Sequence, residues 1–148
     1  VKWTIFLFPA IAYAGLQDGR LTILSVKGTS SVSAGQTIPP GTITTGEASG
    51  CEVFLSNGTK IILNADCITH FKTLKQMEGQ QLQPDAQGTP TKELGPSVTE
   101  IEVEKGKVVG DVKKLDKMSS FTLKTPVGTV RIKGTVFSVE YVVNKDGV

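Results

Sequence analysis

Cys51, Cys67 and His70 are the side chains best suited to chemistry in this chain, and their number limits what that chemistry can be. Cys67-Ile68-Thr69-His70 sets a thiol close to an imidazole, with Cys51 and Asp66 as candidate additional metal ligands. A structural zinc site takes four ligands, usually from two closely spaced pairs, and only one such pair is present. The spacing therefore favours a strand on which His70 is exposed or caps a turn. With one histidine in the chain, any Ser/His/Asp triad would have to use His70. Gly46-Glu47-Ala48-Ser49-Gly50 is not a G-x-S-x-G elbow, and it precedes a strand rather than a helix. Glu100, Glu102 and Glu104 would line one face of a strand, so they cannot oppose each other across a cleft as a glycosidase pair must. Like charges at that spacing form a solvated edge that discourages aggregation. Neither phosphate-cradling glycine motif occurs. The expectation is a non-enzyme with no catalytic, cofactor-binding or metal-binding residues.

The two cysteines flank a predicted hairpin and are an even count. A Cys51–Cys67 disulfide would close a short loop and stabilise the fold by about 3 kcal/mol in the chain-entropy model. The other reading is a pair of reduced, buried thiols that never meet, since bridging needs Cα atoms within roughly 7 Å. Both readings stand at this level.

Charge adds one further candidate. The net charge of +2 gives no electrostatic case for nucleic acid. Lys105, Lys107, Lys113, Lys114, Lys117, Arg131 and Lys133 make the second half locally basic, interrupted by Asp111 and Asp116. A solvated face is the plain reading, and a patch for an acidic partner or an anionic glycan is the sharper one.

The elements that must position these residues are strands. A length of 148 residues suits one domain with one core. The N-terminus, however, has the order of an export signal. Lys2 precedes the apolar run Trp3 to Ile11, which is too short to span a bilayer as a helix, and Ala12-Tyr13-Ala14 is a small-x-small cleavage site. Residues 1–14 are expected to be a signal peptide and residues 15–148 the mature β domain, with no transmembrane segment in it. Such a product is periplasmic or secreted.

Within the mature chain, Leu21 to Val26 reads as a strand. Cys51–Leu55 and Lys60–Leu63 read as a hairpin around Ser56-Asn57-Gly58-Thr59, where Asn-Gly predicts a type I′ turn. Gln76 to Ser97 has no usable periodicity and few apolar groups, so it is expected to be a disordered, dispensable insertion. Ile101 and Val103 alternate with glutamates, Lys105-Gly106 is expected to turn the chain, and Ser120 to Lys124 forms another strand. Pro126 suits a strand start, and Val130, Ile132, Phe137 and Val139 are the predicted core positions of two strands with a corner at Gly134. Val139 to Val143 runs into Asn144-Lys145-Asp146-Gly147, a turn signal that predicts one more strand past the end of the chain.

These last residues also carry a resemblance. Thr125-Pro126 and Ile132-Lys133-Gly134-Thr135-Val136-Phe137-Ser138-Val139 resemble the TP-x-x-x-x-x-[VI]-[RK]-GT-x-F-x-V signature of the FecR family, periplasmic sensor-relay domains first known from iron-dicitrate signalling. Gly41, Ile43, Thr45, Gly46, Ser49, Val53, Leu55, Asn57, Gly58, Thr59, Ile61 and Leu63 resemble the family's N-terminal pattern in the same order. The resemblance covers about Arg20 to Tyr141, leaving 76–97 unmatched. It implies an all-β fold, either a rolled β-sandwich or a short β-solenoid, with Thr125, Pro126, Lys133, Gly134, Thr135 and Phe137 as signature residues. The cytoplasmic anti-sigma segment and membrane helix that precede this domain in full regulators have no counterpart in the sequence, so the anti-sigma role is not carried over. What the resemblance implies is a bacterial signalling or protein-binding module of the cell envelope, meeting another envelope protein through an exposed strand edge. The alternative is a structural or glycan-binding envelope protein.

Overall fold

The computed structural model describes residues 15–77, 79–82, 95–113, 115–133 and 136–142. Among them are eleven strands and no helix: β1 Leu16–Asp18, β2 Leu21–Lys27, β3 Thr37–Ile38, β4 Thr42–Thr44, β5 Gly50–Leu55, β6 Lys60–Leu63, β7 Ile68–Met77, β8 Ser97–Asp111, β9 Ser120–Thr125, β10 Gly128–Arg131 and β11 Val136–Tyr141. The all-β expectation holds. The sheet curls into a half-barrel, and antiparallel pairing dominates, with β8–β9 as the one parallel pair among the described strands. These are the pairings of a rolled sheet rather than of stacked parallel coils.

One strand holds the roll together. The first part of β8 pairs with β7 and β9, and its last six residues pair with β6 and β11. The changeover falls at Gly106, whose φ is +98°. A Cβ there would stand 2.7 Å from the Cα of Cys67. Lys105-Gly106 is therefore not the expected turn. β8 runs straight through it and changes partners, a corner that only glycine fits. Glu104 has no partner in the β7 register, which steps from Ile68↔Lys105 to Thr69↔Val103. That bulge adds to the bend.

Alternation along the strands fills the hollow of the roll. In β8, Ile101, Val103 and Val108 face inward, and Leu21, Ile23, Val53, Leu55, Ile61 and Leu63 come from the strands on the β6 side. Phe71, Leu74, Phe121 and Leu123 come from the β7 and β9 side. The crossover from β8 back to β9 closes one end, with Val112 buried and Leu115 against the core. The glutamates of β8 lie on the outer face of a central strand, not on an edge. Glu100 pairs with Lys124 at 3.0 Å, and Glu102 lies 4.0 Å from Lys72.

The β5–β6 hairpin forms where expected, with a different turn. Gly58 N–H donates to Leu55 C=O at 2.8 Å and Leu55 N–H to Thr59 C=O at 2.8 Å, closing a three-residue loop. Gly58 has φ +95°, and Asn57 is not in the left-handed region, so this is a tight turn followed by a glycine bulge rather than type I′. Asn57 stays right-handed because its Oδ1 accepts from Thr59 N–H at 3.0 Å.

The hairpin tip is buried, which corrects the limits of the expected insertion. Gln76 and Met77 belong to β7 and Ser97 to β8. Gln76, 4% exposed, accepts from Ser56 Oγ and donates through Nε2 to Ser56 C=O at 3.1 Å and Gln80 C=O at 3.2 Å. Leu82 N–H donates to Ser56 C=O at 2.7 Å. Residues 83–94 lie outside the described part, as do the expected signal peptide, the Gly134 corner and the terminal turn.

Candidate functional site

The signature residues gather where β9, β10 and β11 meet. Thr125 Oγ1 accepts from Val127 N–H at 3.3 Å and donates to Gly128 C=O at 3.2 Å, fixing the β9–β10 turn. Pro126 sits inside this turn, not at a strand start; its fixed φ suits the first central position. β10 pairs with β9 alone among the described strands. All four of its residues are exposed, and Val130 is 47% exposed. The expected burial of Val130 fails because alternation buries a side chain only where another layer covers the strand. Ile132, just past β10, is buried, and its N–H donates to Phe121 C=O at 2.9 Å.

Phe137 packs as expected, partly buried against the core and edge-on to Phe121. Val139 also packs there. Val136 is 67% exposed on the other face. β11 pairs along its length with β8, its one partner strand among the described residues. Lys133 is exposed; Gly134 and Thr135 lie outside the described residues.

Among the described residues, three clefts bear on the strands. A cleft of about 760 Å³ lies at the Gly106 corner, lined by Glu47, Asp66, Lys105, Lys107, Glu140 and Tyr141 among others. A second of about 330 Å³ is lined by Thr29, Ser30, Ser31, Thr44, Thr45 and Gly46. The third, about 320 Å³, is formed by Lys117 to Phe121 and Arg131 to Lys133, so β8's crossover brings Lys117 beside the signature.

The imidazole does not join the thiols, which lie near enough to each other for Cys67 to act electrostatically on Cys51. Cys51 and Cys67 are both buried and free. Burial pushes both thiols up from their usual range, opposed by the hydroxyls of Ser30 beside Cys51 and Thr69 beside Cys67. Thiols held neutral in this way are poor nucleophiles and poor metal ligands. His70 lies on the opposite face of β7 from Thr69 and Phe71. Its Nδ1 is 2.7 Å from Thr42 Oγ1 and its Nε2 is 2.9 Å from Glu104 Oε1. This hydroxyl–imidazole–carboxylate line was not foreseen, because it spans three strands that are distant in sequence. It lies on an exposed sheet face, and neither Thr42, His70 nor Glu104 lines any of the three clefts above. Its geometry is that of cross-strand pairing.

The buried polar network at the hairpin tip was also missed. Asn57 Nδ2 donates to Thr99 Oγ1 at 3.0 Å, and Ser56 Oγ accepts from Arg20 N–H at 2.9 Å. The Asn-Gly motif that predicted a turn was the available signal for Asn57. Nothing local marked Gln76.

Among the described residues, no helix is long and apolar enough to cross a membrane. Comparison with known proteins adds one match: the family model described as FecR protein matches residues 41–147. No curated protein matches the chain. No solved structure matches it either.

Proposed function

The chain belongs to the FecR family, a signalling-regulator type of domain, and from that membership we propose a non-catalytic protein-binding module exported to the bacterial envelope. The leader-like order of Lys2, the apolar run and Ala12-Tyr13-Ala14 supports export, with cleavage after Ala14. The observation that carries the contact is β11. It is a regular six-residue strand held on one side only by β8. From Phe137 to Tyr141, β8 is the one partner strand of β11 among the described residues, so an extended segment of a partner can add on its outer side by β-augmentation.

The glycan reading has less support. Sugar recognition favours exposed aromatic faces, and Phe54, Phe71 and Phe121 are all buried. Photo-crosslinking in the envelope tests the contact. A crosslinker at Ser138 should give one discrete protein adduct, and one at Lys72, on the outer face of β7, should give none. No adduct at Ser138, or equal adducts at both, would remove the basis for the proposal.

A further inference from the structure

The cleft between the β8–β9 crossover and the end of β10 is lined by cations. Four lysines of the sheet sit near acids: Lys60 with Glu52, Lys72 with Glu102, Lys75 with Asp18 and Lys124 with Glu100. Lys117, Arg131 and Lys133 line one cleft and have no carboxylate partner among the described residues. No acidic side chain is in its lining. Asp116, which accepts from Met118 N–H at 2.9 Å, is the acid beside this concavity; three cations still outnumber it, and a bound anion relieves their mutual repulsion.

We propose that this cleft binds carboxylate side chains of an acidic, extended peptide segment. The proposal rests on the protein-binding reading above and names the chemistry of the partner. Two features select a peptide. Arg131 belongs to β10, which among the described strands pairs with β9 alone, so backbone groups of an open strand lie next to the cations. The guanidinium fork takes a carboxylate in bidentate fashion, and the two lysines supply point charges beside it. A glycan is disfavoured because the one aromatic in the lining, Phe121, is 2% exposed and offers no stacking face. The site joins Lys133 of the family signature to Lys117, a residue the signature does not include.

The test uses the full chain and a short fluorescein-labelled peptide of alternating Glu and Val, read by anisotropy. Binding should weaken as salt rises, because the contacts are charge pairs. Replacing Glu by Gln in the peptide, or introducing Arg131→Gln with Lys133→Gln, should weaken binding about tenfold or more. Lys117→Gln alone should weaken it less. All three positions are at the surface, and circular dichroism checks that each variant is folded; if the double variant is not, Lys117→Gln with Lys133→Gln replaces it. Failure of the Glu peptide to bind at millimolar concentration overturns the proposal. So does binding that the variants leave unchanged, or heparin binding at these residues that the Glu peptide cannot displace. The Ser138 adduct separates this outcome from the broader reading: an adduct without peptide binding removes the cleft alone, and peptide binding without an adduct removes the β11 contact alone.

Discussion

Phe121 of β9 and Phe137 of β11 meet edge to face, with ring centroids 6.3 Å apart and planes at 70°. The two strands lie on opposite sides of β8's changeover, so the pair ties one half of the roll to the other. Phe137 also faces Gly110 of β8, and a Cβ added at Gly110 would run into its ring. An aromatic laid over a strand glycine covers backbone that would otherwise be bare. The phenylalanine of the signature is thus a packing residue.

Phe121→Ala should cost about 3–5 kcal/mol in a denaturant titration, the range for a buried ring. Phe137 is only partly buried, so Phe137→Ala should cost less, about 2–3 kcal/mol. Gly110→Ala should cost about 1–3 kcal/mol in the native background and less once Phe137 is alanine, since the obstructing ring is gone. Equal costs in both backgrounds would place the ring elsewhere.

Asn57→Ala should destabilise by about 2–3 kcal/mol, because it strands the Thr59 N–H and the Thr99 hydroxyl in a buried site. The midpoint should fall with the denaturant slope unchanged. Gln76→Ala should act similarly, whereas replacing residues 83–94 with a short Gly/Ser linker should shift the thermal midpoint little, given their composition. A large loss from the linker would reverse that assignment.

These contrasts show where the sequence was legible. Strand periodicity, the Asn-Gly hairpin and the signature strand of Phe137 were readable because each is local. Gln76 was misjudged because composition counts a glutamine as solvated, and only tertiary contacts show its amide satisfied inside. Val130 was misjudged because alternation does not tell whether a layer covers the strand. Lys117 was seen as part of a basic block, but its approach to Arg131 depends on the parallel return from β8 to β9, a non-local event.

The buried thiols predict a pH dependence. Burial raises both Cys51 and Cys67 in the folded state. A raised pKa contributes stability that is fully present below the unfolded value and is lost as pH rises towards the folded one. Stability should therefore fall above about pH 8.5, where thiols of the unfolded chain ionise. Cys51→Ala with Cys67→Ala should flatten that part of the curve, although the empty volume lowers stability at every pH. The same slope in both proteins would assign it to other groups.

Two glycines give the sharpest test of the fold. Gly106 has φ +98°, and its missing Cβ leaves room for the Cys67 backbone. Gly128 has nothing within 4 Å of the corresponding position and does not have positive φ. Gly106→Ala combines left-handed strain with a clash against main chain, which no side-chain rotation relieves, and should cost about 3 kcal/mol or more. Gly128→Ala should be within about 0.5 kcal/mol of the parent. Amide exchange in Gly106→Ala should quicken on both sides of the corner, in the β7 and β6 pairings alike, because one strand serves both. If Gly106→Ala is as stable as Gly128→Ala, β8 does not switch partners at a glycine corner.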